Sequence, residues 1–267
     1  MLARRLEQTI TLRDILGTHG SHVRQGFSHF APAPRVTETG WRELDRLLPD
    51  GGFTPGVVEL AAPHALGGGT SIALSFMRAV QQKGAAAQDG RGWCAWVEAQ
   101  NSSLGHLYAP GVAQAGVDLD RLLVVRVAPS IAARVSAKNK ATHAEGRGLV
   151  RAALKIAASG GFDGLAVSGA RLDETAVRKF ALSSEEHGTT VFLLTDSLAP
   201  HAPWPVTLRL ELLRTGEGIS VHVTKDKRGR SGASGGVPMN ESRLLPAPTE
   251  ASVRLLDESA PRLQRVA

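Results

Sequence analysis

Short apolar segments rich in β-branched residues alternate with segments of helical length between residues 56 and 194. The apolar segments cover residues 56–61, 93–98, 122–127, 164–167 and 189–194. Such an alternation is typical of βαβ units, in which each helix returns the chain to the start of the next parallel strand. It predicts an α/β fold in which helices flank a mainly parallel central sheet.

Further elements follow from the same patterns. The continuous apolar run at 122–127 predicts a strand that is buried on both faces. Residues 206–213 and 218–224 alternate apolar and polar side chains around the turn sequence TGEG, which predicts a β-hairpin and therefore an antiparallel edge to the sheet. Helices are expected before and between the strands, at 41–48, 70–83, 104–115, 144–159 and 173–187.

The chain divides into three parts by composition. Residues 1–36 are predicted to form an N-terminal extension that begins with an amphipathic helix from Leu2 to Leu16. Residues 37–228 contain the alternating pattern and form the core. Residues 229–267 are rich in Ser, Gly and Pro and are expected to be a flexible tail. Its last part, 251–266, contains five apolar residues, so a solvated tail and a segment that folds on a partner both remain as alternatives.

Composition limits the class of protein. With 42% hydrophobic and 21% charged residues, the chain has enough apolar side chains for a packed core. The single cysteine, Cys94, excludes an internal disulfide and is expected to be a buried structural thiol. His19, His22 and His29 lie in an Arg- and Gly-containing loop, and no metal site is expected there. Without a long apolar segment or a signal-peptide core, we expect a cytoplasmic protein with no membrane partner.

The positive charge is concentrated in one part of the chain. The formal net charge is +6, yet residues 121–155 alone contain eight Lys or Arg and one acid, Glu145. If 144–159 is a helix, Leu149, Ala153, Ile156 and Ala157 face the core and the basic residues lie on another face. A solvated helix face and a surface that binds DNA or an acidic partner both fit this pattern. The candidate binding residues here are Arg134, Lys138, Lys140, Arg147, Arg151 and Lys155.

The loop after the first predicted strand has the position of a phosphate-binding loop. It reads APHALGGGTS and ends at the start of a predicted helix, so Gly67, Gly68, Gly69, Thr70 and Ser71 supply the glycines and hydroxyls of such a loop. A phosphate-binding loop also needs a lysine for the β- and γ-phosphates. Gly68 or Gly69 stands at that position, and no Lys or Arg follows before Arg78.

Several segments, in this order and spacing, resemble the RecA family. TGWRELDRLLPDGGFTPGVVELAAP resembles the entry to the RecA ATPase core, CAWVEAQNSSLGHLYAPGVAQAGVDLDRLLVV resembles its second strand and helix, and VTKDK at 223–227 resembles its closing Lys-x-Lys strand. The resemblance covers residues 37–228 and implies a RecA-like core. By this resemblance, three residues match basic residues of RecA that reach the phosphates bound to a neighbouring subunit, or they form only the basic end of a strand. They are Lys225, Lys227 and Arg228.

The same resemblance implies that the residues for ATP hydrolysis are lost. The carboxylate that orients the attacking water matches Gln100, the metal-binding aspartate matches Ser168, and the sensor glutamine matches Thr195. Because positioning and charge neutralisation supply most of the catalysis of phosphoryl transfer, we expect a pseudo-ATPase without a cofactor. A weak nucleotide site formed by the bare glycines is the alternative. The loops at 168–173 and 195–205 are short and contain one aromatic residue, Trp204, which argues against DNA binding in the RecA manner.

A RecA-like chain with a degenerate phosphate loop, short loops and an added tail is similar to the ImuA family. This resemblance implies an adaptor in DNA-damage-induced translesion synthesis and mutagenesis under SOS control. Its implied partners are RecA and the polymerase-like protein ImuB, with a moderating effect on RecA-mediated recombination. The N-terminal helix would be a candidate contact. An active DNA-dependent ATPase of the recombinase type and a cell-division inhibitor of the SulA type remain as alternatives.

Overall fold

The computed structural model describes residues 35–63, 67–87, 91–100, 106–128, 141–170, 172–197 and 204–238. The chain divides into two compact units, Met1–Ala33 and Pro34–Ala267, and every described residue belongs to the second. The predicted N-terminal helix, the three loop histidines and the apolar segment at 251–266 lie outside the described residues.

Helices and strands alternate as the sequence pattern predicts. The described helices are α1 (Arg42–Leu47), α2 (Gly69–Ala87), α3 (Ala109–Gln114), α4 (Ala141–Ala157) and α5 (Glu174–His187), with a 3-10 turn at Leu119–Arg121. The strands are β1 (Gly56–Ala62), β2 (Cys94–Ala99), β3 (Leu122–Val127), β4 (Gly164–Ser168), β5 (Thr190–Asp196), β6 (Leu208–Arg214), β7 (Gly218–Asp226) and β8 (Ser234–Pro238).

These strands form one sheet in the order β3-β2-β4-β5-β1-β6-β7-β8. The strands from β3 to β6 pair in parallel, and β6, β7 and β8 pair antiparallel, which confirms the predicted fold class and the antiparallel edge. At the predicted turn, Thr215 N–H donates to the carbonyl oxygen of Gly218 at 2.9 Å. The carboxyl ends of the parallel strands therefore meet at one edge of the sheet, where α/β proteins place their sites.

Two apolar layers cover the sheet. On one face Trp41, Leu44, Ile72 and Met77 join side chains of the strands, and on the other Leu149 and Ile156 of α4 pack with side chains of α5 and the strands. Three phenylalanines fix the centre of the first layer through edge-to-face contacts, with ring centroids 5.0 to 5.9 Å apart: Phe53, Phe76 and Phe192.

The prediction that β3 is buried on both faces is wrong. Among the described strands, β3 is the last of the sheet, and its side chains are half-buried or exposed, with Val124 38% exposed. Its apolar composition does not reveal this position, because an edge strand next to helices can carry the same residues as a central strand. α3 also begins later than predicted, at Ala109, because Pro110 favours the first turn of a helix.

The tail was predicted to begin at residue 229, but its first part belongs to the sheet. Ser234–Pro238 forms β8, which pairs with β7, and Val237 is buried in the core. Gly235 lies so close to α1 that a Cβ there would stand 3.1 Å from Leu47 Cδ2. The glycines that suggested a flexible segment therefore allow a strand to pack closely on a helix. Residues 239–267 lie outside the described part.

Candidate functional site

The glycine loop connects β1 to α2 and lies against β6 and β7. α2 begins at Gly69. A Cβ on Gly67 would stand 2.6 Å from the carbonyl oxygen of Leu212, and a Cβ on Gly68 would overlap the side chain of Ile219. Gly68 also has a φ of 95°, which L residues rarely adopt. Packing on the sheet requires glycine at both positions, whether or not a phosphate binds.

The described part of this loop, residues 67–71, carries no cation. Thr70 and Ser71 are half-buried in the first turn of α2, and His64, Ala65 and Leu66 lie outside the described residues. The first basic residue of α2 is Arg78, whose Nη2 donates to the carbonyl oxygen of Thr39 at 3.3 Å. Arg78 is therefore bonded to the segment that precedes α1.

The three positions that match catalytic residues of RecA lie at the carboxyl edge of the sheet. Gln100 follows β2 and is exposed, and its backbone N–H donates to the carbonyl oxygen of Val127 at 2.9 Å. Ser168 ends β4 and is half-buried. Thr195, in β5, donates from Oγ1 to Glu59 Oε1 at 3.0 Å. The three positions therefore lie at one edge of the sheet, and the sequence did not identify the partner of Thr195.

Glu59 is a buried carboxylate that the sequence analysis missed. It lies in β1 with its side chain 3% exposed, and Arg209 Nε of β6 is 3.7 Å from its Oε2. Glu59 and Arg209 are direct register partners on neighbouring parallel strands. A buried carboxylate is costly without a cation and hydrogen-bond donors. Arg209 supplies the nearby cation and Thr195 donates a hydrogen bond.

Glu98 is a second buried carboxylate, in β2, and was also missed. Its Oε2 accepts from Trp96 Nε1 at 3.2 Å and from the backbone N–H of Leu107 at 3.0 Å. Its Oε1 accepts from Arg126 Nε at 2.8 Å and lies 3.2 Å from His106 Nδ1. A carboxylate has about four lone-pair positions, so these four partners nearly saturate it and leave little capacity to orient a water.

One sequence signal could have identified both carboxylates. Glu59 and Glu98 are lone acids inside the apolar strands GVVELAA and CAWVEA. An acid in such a segment must find a buried partner, since an unpaired charge in an apolar layer is strongly unfavourable. The partners, however, come from β6 and β3, and only the order of the strands brings them close.

The basic residues near the end of β7 have partners within the fold. Lys225 Nζ donates to the carbonyl oxygen of Trp204 at 2.5 Å, and Lys227 Nζ lies 2.8 Å from Glu185 Oε1. Arg228 Nη1 lies 2.9 Å from Asp50 Oδ1. These contacts join the antiparallel edge to α5 and to the segment after α1. Exposed ion pairs of this kind contribute little stability and can exchange partners.

Asp226 belongs to the same edge of the sheet. Burial opposes ionisation of its carboxyl, but hydrogen bonds from the Arg230 side chain and from the backbone outweigh it and hold the pKa of Asp226 below its usual range. Arg230 Nε lies 2.9 Å from Asp226 Oδ2, and Arg230 Nη1 lies 2.9 Å from Asp50 Oδ1. The two carboxylates raise the pKa of Arg230 further. This network fixes the turn between β7 and β8.

α4 separates its basic and apolar residues as predicted. Leu149, Ala153, Ile156 and Ala157 are buried against the sheet. Arg147, Arg151 and Lys155 are exposed on the opposite side. The other predicted basic residues, Arg134, Lys138 and Lys140, lie outside the described residues.

The Cys94 thiol is buried, as the sequence predicts. Burial raises its pKa strongly, and the nearby Asp163 carboxylate adds to this effect. It therefore stays protonated and is a poor nucleophile. In the described part of the chain, we find no helix with the length and apolar character needed to cross a membrane.

Comparison with solved structures identifies the same architecture in the "Crystal structure of the RadB recombinase", at 15% sequence identity and a TM-score of 0.53. The match covers 78% of this chain and 97% of that chain. At this identity the similarity shows the fold alone, which is RecA-like as the sequence predicts. No protein-family model matches the chain, and no curated protein matches its sequence.

Proposed function

We propose that this chain is a noncatalytic protein of RecA-like fold that acts as an adaptor in DNA-damage-induced translesion synthesis. The observation that carries the noncatalytic part is the close packing of Gly67 and Gly68 on β6 and β7. This packing accounts for the glycines of the loop without a nucleotide. The adaptor part rests on the resemblance of the sequence to the ImuA family.

The chemistry of the carboxyl edge supports the same proposal. Phosphoryl transfer needs cations and a metal ion on the phosphates and a group that orients the attacking water. At the matching positions this chain has Gly68 or Gly69, Ser168 and Gln100, none of which carries a charge. The nearby carboxylate Glu98 is bonded to four partners of its own.

An adaptor also needs a surface for its partners, and the β3 edge offers one. Among the described strands, β3 has a neighbour on one side only. Leu119 and Val124, before and within β3, are 41% and 38% exposed, and Tyr108 is 70% exposed. An open strand edge and exposed large apolar side chains are both features of protein interaction sites.

The partners in this proposal are RecA and ImuB. A RecA-like chain that does not cycle ATP would join or cap a RecA filament without taking part in its turnover, and would thereby moderate RecA-mediated recombination. The test is capture of purified RecA, and separately of ImuB, on the immobilised full-length chain. We expect capture of at least one at salt near physiological. Failure to capture either would contradict the adaptor role.

Two further experiments extend this test. A chain that ends at Pro238 keeps β8, so a loss of capture would assign the contact to residues 239–267 and not to a damaged sheet. A strand-exchange assay with RecA measures the functional consequence. We expect slower exchange at stoichiometric excess of the chain, and an unchanged rate would contradict the moderating effect on recombination.

A further inference from the structure

The outer face of α5 has an exposed apolar residue near its middle. Leu182 is 62% exposed, whereas Val177 and Phe180 of the same helix are buried against the sheet. A single exposed leucine is common on protein surfaces and does not by itself indicate an interface. The charged residues around Leu182 supply the further evidence.

These charged residues follow a regular order along the helix. Two cations, Arg178 and Lys179, stand four and three residues before Leu182, and two acids, Glu185 and Glu186, stand three and four residues after it. All four are exposed. With 3.6 residues per turn, the five side chains lie within about 120° of the helix circumference, and Leu182 is in the middle. The face is therefore symmetric in spacing about Leu182 and opposite in charge on its two sides.

Most charged residues of α5 already have a neighbour of opposite charge or a hydrogen bond within the chain. Lys179 forms no ion pair with another residue that the structure describes. Asp173, at the start of the helix, accepts from the backbone N–H of Ala176 at 2.7 Å. Exposed ion pairs contribute little and exchange partners readily, so the order of the charges matters here and not an excess of one sign. The pairs within the chain are Arg178–Glu174 at 2.6 Å, Glu185–Lys227 at 2.8 Å and Glu186–His187 at 3.8 Å.

The neighbouring helix α4 adds charge of one sign. It contacts α5, and its exposed cations are Arg147, Arg151 and Lys155. Arg147 has a partner of its own within the fold, and the side chain of Glu145 lies outside the described residues. Repulsion between these cations of two molecules is screened at physiological salt, so association is measured at that salt.

We propose that α5 forms a symmetric contact with α5 of a second copy of this chain. In a two-fold contact centred on Leu182, a residue that precedes Leu182 faces the residue that follows Leu182 by the same number of positions in the other copy. Lys179 then faces Glu185 of the second copy, and Arg178 faces Glu186. The two Leu182 side chains meet on the axis. The face complements itself, which favours a second copy over a partner with charge of one sign.

The size of this face indicates a reversible dimer. α5 has 14 residues and is about 21 Å long, and one helix face of this length buries less than the roughly 1,200 Å² of a stable interface. Association should therefore depend on protein concentration. It goes beyond the adaptor function, since it requires neither RecA nor ImuB. It also leaves the β3 edge available, because β2 and β4 lie between β3 and β5, on which α5 packs.

Cysteine crosslinking of the full-length chain tests the position of the axis. Helix axes about 8 to 10 Å apart place two residues on the axis with their Cα atoms about 5 Å apart, which suits a disulfide. On mild oxidation, Leu182→Cys should form a covalent dimer about 10-fold faster or more than Leu213→Cys. Leu213, on β6, is 56% exposed and is the matched control. Cys94 is buried, so the parent chain gives the background.

Two charge variants test the pairing across the axis. Arg178→Glu/Lys179→Glu makes the face acidic throughout, and Glu185→Lys/Glu186→Lys makes it basic throughout. Each variant alone should sediment as a monomer at concentrations where the parent chain associates, because like charges then face each other. An equimolar mixture should associate again. Both variants keep a positive net charge, so general attraction between them is not expected. A thermal melt of each variant verifies folding.

Three results would overturn the proposal. The first is a parent chain that stays monomeric at every concentration measured. The second is crosslinking of Leu182→Cys no faster than that of Leu213→Cys. The third is a mixture of the two charge variants that associates no more than either variant alone. Because capture of RecA and ImuB is measured separately, failure here does not decide the adaptor function.

Discussion

Glu98 and Arg126 stand directly opposite each other on the parallel strands β2 and β3, with Arg126 Nε 2.8 Å from Glu98 Oε1. The carboxylate is buried, and the guanidinium is about half exposed. Arg126 Nη2 also donates to the carbonyl oxygen of Leu107 at 3.2 Å. One residue of the edge strand thus neutralises a buried charge and fixes the segment before α3.

Replacement of Arg126 by Gln should leave Glu98 buried with reduced charge compensation. We expect a loss of about 1 to 3 kcal/mol in the free energy of unfolding, below the full cost of breaking a buried pair because the arginine is partly solvated. Urea denaturation measures this change. The control Arg178→Gln removes an exposed ion pair on α5 and should cost at most about 1 kcal/mol. Equal losses in the two variants would contradict the role of Arg126.

Replacement of Gly68 by Ala tests the packing of the glycine loop. Both the positive φ and the side chain of Ile219 oppose a Cβ there, so we expect a loss of about 2 kcal/mol or more in unfolding free energy. Gly216→Ala, in the turn after β6 with no atom near its Cβ position, is the control and should change stability by less than about 1 kcal/mol. A stable Gly68→Ala variant would show that the loop does not need these glycines for packing.

The lowered pKa of Asp226 predicts a specific dependence of the protein's stability on pH. Its folded-state pKa lies below its ordinary value of 3.8, so its contribution is fully present above that value and is lost as pH falls through the folded pKa. The variant Asp226→Asn should therefore be less stable than the parent chain at neutral pH. The difference should narrow below about pH 4. Denaturation at several pH values measures the difference in unfolding free energy between the variant and the parent chain. A difference that stays constant down to low pH would contradict the lowered pKa of Asp226.

The assignment of β8 to the core predicts that two truncations differ. A chain that ends at Pro238 keeps Val237 in the core, whereas a chain that ends at Ala233 loses it and opens the edge of β7. We expect the shorter chain to be less stable by about 2 kcal/mol or more, because a buried valine and a row of strand hydrogen bonds are lost. Equal melting temperatures would contradict the place of β8 in the sheet.

Much of the fold could be predicted because the alternation of strand and helix is a local signal. The segments at 56–61 and 122–127 became β1 and β3 nearly as predicted, and the buried residues of α4 followed from helical periodicity. The order of the strands in the sheet, in contrast, depends on contacts between residues that are distant in the sequence. The exposure of β3 depends on its place at the end of the described sheet, and Ser234–Pro238 becomes a strand by pairing with β7.

The candidate site was predictable to a smaller extent. The sequence placed Gln100, Ser168 and Thr195 at the carboxyl ends of strands, because each follows or ends an apolar run. It did not identify the pairs Glu59–Arg209 and Glu98–Arg126, since their members are distant in sequence and meet only through the strand order. Buried charge pairs of this kind follow from topology, which the local pattern does not contain.

The central claim is that the glycine loop serves packing and not ATP hydrolysis. Its most direct test is a titration of the full-length chain with Mg²⁺ and ATP by calorimetry, together with phosphate release in the presence and absence of DNA. We expect no saturable binding of ATP and no phosphate release above background, with RecA as the positive control. Stoichiometric ATP binding with hydrolysis that DNA stimulates would contradict it and would favour an active recombinase-type ATPase.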